Sequence, residues 1–216
     1  MSNNERPLYK NSSGGFIDPD EITAFAALRY LECGFTVQPL QLGKKELVYN
    51  ARLFTPQNLQ QPDIHALLVR EFYNRGIALW MGQVDGYFVT LDFDDPAAYP
   101  IWAAANPHLA ATATAKTPGG GFHVVLKFKR TTPFSGKSNH YVDIISDGWY
   151  IAAWPSVHPN GGIYQWLTAP WAKMIEIGDT YEEWESYKNG LDMSRIAFDT
   201  PDYDDLMEYE RNYDYD

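Results

Sequence analysis

Gly86-Tyr87-Phe88-Val89-Thr90-Leu91-Asp92-Phe93-Asp94 reads as an apolar strand that ends in two carboxylates. Successive side chains of a strand point to opposite faces, so residues two apart share a face. Val89, Leu91 and Phe93 then face a core, while Asp92 and Asp94 project together from the other side. Two carboxylates held that close repel unless a cation lies between them, and hard divalent ions such as Mg²⁺ favour such oxygens. A strand end that merely runs into solvent would carry the same pair without a purpose. Asp95, which follows directly, is better explained as a helix cap before Pro96.

Upstream of this strand the pattern is helical. A helix is expected from Asp20, with Ile22, Phe25, Ala26, Leu28, Arg29 and Leu31 as a partial stripe and Gly34 as its stop. Phe35–Leu40 reads as a short strand that a proline ends, and Asp63–Arg75 as a second helix closed by Gly76. Ile77–Met81 precedes a turn into the acidic strand, and a helix over Ala97–Ala105 follows it. The remainder is strand-rich, with candidates at Ala111–Lys116, Phe122–Phe128, Tyr141–Ile145, Trp149–Ala153 and Ile163–Trp166. Helices early and strands late predict an α+β fold on a mixed or antiparallel central sheet flanked by helices. The expected divisions are a loose arm (1–18), a catalytic domain (19–175), a helical extension (176–198, with a helix at Tyr181–Lys188 capped by Asp179) and an acidic, tyrosine-studded tail (199–216).

Composition narrows the function classes. The 216 residues suffice for one sizeable domain. The single cysteine, Cys33, excludes an internal disulfide framework and a cysteine-rich zinc module; its expected place is the buried face of a helix. No basic-then-apolar leader and no apolar run of about 20 residues is present, which fits a cytoplasmic setting and no membrane partner. The net charge of −11 is local: 14 acidic and 3 basic residues follow position 175, leaving 14 of each before it. A neutral body still allows a basic groove, and Lys116, Lys127, Lys129, Arg130 and Lys137 are close in sequence. The tail is a solvated end, a cover for that groove, or a lure for a basic partner.

Three further stretches carry candidate chemistry. In Thr117-Pro118-Gly119-Gly120-Gly121-Phe122-His123 three glycines lead into a strand, and such backbone can nest an anion. Alternation puts His123, Val125 and Lys127 on one face and Phe122, Val124, Leu126 and Phe128 on the other, apolar one. His123 would thus emerge beside the glycine loop, placed to donate to a phosphate; a plain hairpin and a surface histidine are the alternative. In Tyr141-Val142-Asp143-Ile144-Ile145 the aspartate opposes Val142 and Ile144, as a third carboxylate or as an edge-strand charge. Trp154-Pro155-Ser156-Val157-His158-Pro159-Asn160-Gly161-Gly162 is a rigid loop. Ser156 and His158 there either reach a phosphate or serve as scaffold, with His158 capping a turn.

In order, these pieces resemble the N-terminal domain of bifunctional primase/polymerases of the archaeo-eukaryotic primase superfamily, common in plasmid and phage replication proteins. The likeness begins at Tyr30-Leu31-Glu32-Cys33-Gly34-Phe35-Thr36-Val37-Gln38-Pro39-Leu40 with Gly43-Lys44-Lys45. It runs on through Gly76-Ile77-Ala78-Leu79, Leu91-Asp92-Phe93-Asp94, the Gly-Gly-Gly-Phe-His segment, Val142-Asp143-Ile144 and Trp154-Pro155-Ser156-Val157-His158. It implies a primase-like fold whose catalytic half resembles an RNA-recognition-motif sheet. It implies that Asp92, Asp94 and Asp143 hold two Mg²⁺ or Mn²⁺, and that His123 meets the triphosphate. Lys116, Thr117, Gly120, Gly121, Ser156 and His158 are the remaining nucleotide-binding candidates. Implied partners are single-stranded template, primer–template DNA, dNTP or NTP, and a replicative helicase.

The likeness is not complete. Gly121 stands where the family often has Ser or Thr, the turn after the third acidic strand is only Ser146-Asp147-Gly148, and Trp154 replaces a proline. One cysteine cannot build the zinc stem of some relatives, so no zinc is expected, and choice of start site falls outside what this chain implies. A degenerate relative that grips DNA without polymerising would require loss of the acidic residues, which are present. A rolling-circle nuclease would require metal-binding histidines spaced one apart, and His65, His108, His123, His140 and His158 contain no such pair.

Overall fold

The computed structural model describes residues 9–10, 15–50, 54–83, 87–128, 142–146 and 148–177. The expected helix at 181–188, the tail, Lys129, Arg130, Lys137 and His140 lie outside the described residues. In chain order the elements begin with β1 (Tyr9–Lys10), β2 (Phe16–Ile17), α1 (Pro19–Glu32), β3 (Val37–Gln41), a 3-10 turn (Pro56–Gln60) and α2 (Ile64–Glu71). β4 (Arg75–Trp80), β5 (Gly82–Gln83), β6 (Tyr87–Phe93), α3 (Ala98–Ala105) and α4 (Pro107–Ala110) follow. The chain then forms β7 (Ala113–Lys116), β8 (Phe122–Phe128), β9 (Asp143–Ile145), β10 (Tyr150–Ala153), β11 (Gln165–Thr168) and β12 (Glu176–Ile177). Among the described residues no helix is long and apolar enough to cross a membrane.

Local signals explain the helix ends. The Asp18 carboxylate accepts the Asp20 N–H at 2.9 Å, and Pro19 occupies the first turn of α1, where its missing N–H costs nothing. Gly34, at φ +93°, turns the chain out after α1. Asp95 is not the cap expected of it: its carboxylate accepts the Ala97 N–H at 2.8 Å in the turn before α3, whose N-cap is Ala97 without a side-chain bond. Cys33 sits at the C-terminal cap of α1 and is half-buried, not on the buried face of the helix, and burial pushes its thiol pKa up.

Other expectations fail for identifiable reasons. Phe25 is 52 % exposed, because α1 buries Ala24, Ala26, Ala27, Tyr30 and Leu31 instead. α2 stops at Glu71, well short of Arg75; Asn74 takes a left-handed φ of +52°, and Arg75 and Gly76 already belong to β4. β3 continues through Pro39, which an edge strand tolerates because the missing N–H faces away from the ladder with β4. Tyr9–Lys10 and Phe16–Ile17, in the expected loose arm, pair as a two-stranded antiparallel ladder.

Two main sheets result. The smaller has the order β10-β4-β3, all antiparallel. The larger runs β11-β7-β8-β6-β5, with β9 pairing β6 and β12 pairing β8, the last in parallel. This is the α+β architecture with a mixed central sheet that the sequence predicts. One face of the larger sheet packs Val89, Leu91, Phe93, Val124, Leu126 and Phe128 against Ala98, Trp102 and Leu109 of the α3–α4 segment. The other face is also apolar over much of its length, where Phe88, Val125 and Ala113 join α1 and the inner face of the smaller sheet. The sheet is therefore buried on both sides, and the expectation of one greasy face and one polar face holds only near the end of β6.

Two polar ties join these layers. Tyr30, buried on α1, donates to the Trp154 carbonyl at 2.8 Å and accepts from Trp166 Nε1 at 2.5 Å. Ser156, 2 % exposed, accepts the Ile77 N–H at 2.7 Å and donates to the Ile77 carbonyl at 3.2 Å. Gly76 permits this approach, since a Cβ there would lie 2.8 Å from Ser156 Oγ. Ser156→Ala leaves the buried Ile77 amide without its partner and is expected to cost about 1–3 kcal/mol in a denaturant titration; an unchanged midpoint would contradict the tie.

Candidate active site

The antiparallel register assembles the site. β6 lies between β8 and β9, and the pairing sets Asp92 opposite His123 on one side and opposite Asp143 on the other. Directly paired residues of neighbouring strands share a face, with Cβ atoms roughly 4.5–5.5 Å apart. His123, Asp92 and Asp143 thus form a row across three strands, and Asp94, two residues beyond Asp92, extends it past the end of β6. Three residues separated by up to 51 positions in sequence meet because one strand pairs on both edges.

Each member has a distinct environment. His123 is 6 % exposed, so it is neither a surface histidine nor turned away from the acidic row. Its Nε2 stands 3.3 Å from Asp92 Oδ1, and its ring stacks on Tyr164 with centroids 5.7 Å apart. Its Nδ1 is buried and has no hydrogen-bond partner among the described residues. Asp92 and Asp143 are half-buried, and Asp94 is exposed. The Asp94 pKa is raised by desolvation and then by the charges of Asp92 and Asp143, against the lowering effect of Lys45 and His123. Water still reaches this carboxylate and screens both effects, so the net upward push is modest.

The donor set suits a hard divalent cation, being carboxylate oxygens with mutual repulsion left to neutralise. The shell is not closed: among the described residues no three His, Cys, Asp or Glu side chains already surround one point. Asp92 Oδ1 stands beside the His123 imidazole.

Two loops wall the row. In the glycine loop Thr117 N–H donates to Gly121 O at 2.9 Å and Gly120 N–H to Thr117 O at 3.0 Å. Gly120 adopts φ +102° with open space around it. Gly121 is pressed onto the end of β6, where a Cβ would lie 2.1 Å from the Phe93 carbonyl oxygen. Any side chain would meet that carbonyl, which accounts for the glycine at this position. Lys116 is exposed at the mouth of this loop. The second loop leans on the first: Asn160 Nδ2 donates to Pro118 O at 3.1 Å.

The remaining candidates divide. His158 accepts the Asn160 N–H on Nδ1 at 3.2 Å, the turn-capping role, and packs edge-on to Tyr164 at 5.9 Å, so it borders the site. Ser156 is not brought to the site, because its hydroxyl is committed to Ile77. Lys127 acts on Cys33 at the end of α1. Tyr164 was missed by sequence reasoning. It lies between His123 and His158, packs on Leu40, Ala78 and Ala152 of the smaller sheet, and has its hydroxyl pKa raised by burial and then by Asp92. Only its place directly after the histidine loop hinted at a role.

Two outcomes follow. The folded-state pKa of Asp94 lies above its unfolded value of about 3.9, so its charge opposes folding once pH exceeds the raised pKa, and that opposition is absent below the unfolded value. Asp94→Asn is expected to raise Tm at pH 7 without divalent ions, with the gain shrinking as pH falls through the raised pKa; a lower Tm at pH 7 would contradict the repulsion. Gly121→Ala drives a methyl into backbone and is expected to cost about 1–3 kcal/mol by thermal or chemical denaturation, whereas an unchanged stability would show that the loop is not pressed onto β6.

No curated protein matches the chain significantly. The family model for the bifunctional DNA primase/polymerase N-terminal domain (Prim-Pol) matches residues 27–180, more than two thirds of the chain, and so spans α1 to β12 and every member of the acidic row. With this match over the two-sided pairing of β6, the chain belongs to the Prim-Pol family of bifunctional DNA primase/polymerase N-terminal domains.

Proposed function

We propose that this chain performs metal-dependent, template-directed nucleotidyl transfer onto a 3′-hydroxyl, as a primase/polymerase of plasmid or phage DNA replication in the cytoplasm of the host cell. The observation that carries the proposal is the register that sets Asp143 and His123 on either side of Asp92, with Asp94 next along the strand. Family membership supports primase/polymerase chemistry in general, and the acidic row supplies the specific residues.

Asp92, Asp94 and Asp143 would hold two Mg²⁺ or Mn²⁺. When bound, such ions supply charge neutralisation for the triphosphate and a lowered pKa for the attacking hydroxyl. The 3′-oxygen attacks the α-phosphorus, the α–β bridging bond breaks, and pyrophosphate departs. This chemistry needs in-line positioning and fixed charge and no nucleophilic side chain, in keeping with a site of carboxylates and an imidazole.

The protein's own groups position and shield. His123, gripped by Tyr164, presents Nε2 beside the carboxylates and would donate to a phosphate oxygen once Asp92 turns to its cation. Thr117, Gly120 and Gly121 bring backbone close to the end of β6, and Lys116 and His158 stand at the rim as further phosphate partners. Single-stranded template, primer–template DNA and a dNTP or NTP are the substrates, and a separate helicase is the expected partner for duplex DNA.

The test is primer extension on single-stranded template with labelled nucleotides and Mn²⁺. The wild-type chain is expected to extend the primer, and Asp92→Ala to lose about 100-fold or more of that rate with its fold intact by circular dichroism. Extension equal in both proteins would remove the acidic row from catalysis. DNA binding without any extension would favour a non-polymerising DNA-binding module.

A further inference from the structure

The Gly43-Lys44-Lys45 turn belongs to the stretch shared with the family, yet the acidic row leaves it without a role. It closes a tight hairpin after β3. Gln41 N–H donates to Glu46 O at 2.8 Å, Lys44 N–H to Gln41 O at 3.0 Å, and Gly43 supplies the left-handed φ of +67°. A third tie comes from another strand: Tyr150, at the start of β10, donates its hydroxyl to the Lys45 carbonyl at 2.9 Å. Tyr150 is itself fixed by the Trp80 ring, 5.3 Å away. The Lys45 backbone is thus pinned while its side chain stays exposed.

The two lysines are not equivalent. Lys44 pairs with Glu46 at 3.6 Å on the hairpin itself. Lys45 acts electrostatically on Asp94 of the acidic row, lowering its pKa as His123 does. It makes no ion pair within 4 Å among the described residues, so it does not neutralise Asp94. Tyr150 and Tyr164 pack on the same apolar patch, formed by Leu40, Ala78 and Ala152 of the smaller sheet. Tyr164 continues from that patch onto the His123 ring. The His123 imidazole thus adjoins Asp92 from the larger sheet, and the pinned Lys45 turn belongs to the smaller.

We propose that Lys45 is a nucleotide-binding residue whose ammonium takes a β- or γ-phosphate oxygen of the incoming nucleotide, with Tyr150 as its positioning residue; this rests on the reading of the site as a nucleotidyltransferase centre. A triphosphate carries more negative charge than the ions alone balance once three carboxylates share them, and a pinned lysine stem brings a flexible point charge to that surplus. The same ammonium would suit a phosphate of the template or primer backbone, and the experiment separates these two sources.

Nucleotide affinity is measured by calorimetric titration of dNTP in Mn²⁺ without template, and DNA affinity by anisotropy of labelled primer–template. Lys45→Ala is expected to weaken nucleotide binding about tenfold or more with DNA affinity and Tm unchanged. Lys45→Arg is expected to restore part of it. Tyr150→Phe is expected to give a smaller loss in the same direction, raising KM more than it lowers kcat, while Lys44→Ala is expected to match wild type. Unchanged nucleotide affinity in Lys45→Ala, or a loss confined to DNA affinity, would overturn the assignment while leaving the nucleotidyltransferase reading intact. A wild-type chain that binds no nucleotide would overturn both.

Discussion

The structure depends on one strand pairing correctly along both edges. β6 must meet β8 and β9 in a fixed register, and a slip of one residue on either side would turn the partner residue to the opposite face. Apolar burial fixes that register. Val89, Leu91 and Phe93 on β6, Val124 and Leu126 on β8, and Val142 and Ile144 at β9 take every second position and pack towards α3 and α4. The core on one face thereby specifies the acidic row on the other. Folding and function share a constraint, and no side chain of the row contributes to it.

The row itself works against the fold. Three carboxylates and a buried imidazole, one nitrogen of which has no partner among the described residues, sit beyond the apolar patch where Phe88 and Val125 meet α1. Such an arrangement persists because its surroundings over-determine it. Gly121 lies flush on the Phe93 carbonyl, the histidine loop leans on Pro118, and Tyr164 holds the imidazole from the side of the smaller sheet. Tyr30 and Ser156 fasten that smaller sheet and its loop to the rest. The site is a seam between two sheets, which is why its walls come from distant stretches of chain.

Much of this was legible in the sequence wherever a short-range period or cap decides the outcome. The alternation in Tyr87–Phe93, Phe122–Phe128 and Val142–Ile145 gave the correct apolar face towards α3 and α4, and Gly34 marked the end of α1. What the sequence did not disclose depends on contacts between distant segments. Nothing local to Gly76 says that Ser156 will occupy the place of its side chain, and nothing near Gly121 says that Phe93 will forbid a methyl. The burial of His123 follows from the second core on the carboxylate side, created by α1 and the smaller sheet. Tyr164 looks like any strand aromatic until two imidazoles flank it. The early end of α2 turns on Asn74 adopting a conformation that periodicity does not reveal.

The central claim is that Asp92, Asp94 and Asp143 together hold divalent ions. Anomalous diffraction from crystals of the chain grown with Mn²⁺ and a non-hydrolysable nucleotide tests it most directly. The account predicts manganese peaks bounded by those three carboxylates, with the triphosphate beside His123. Manganese bound away from those three carboxylates would contradict it.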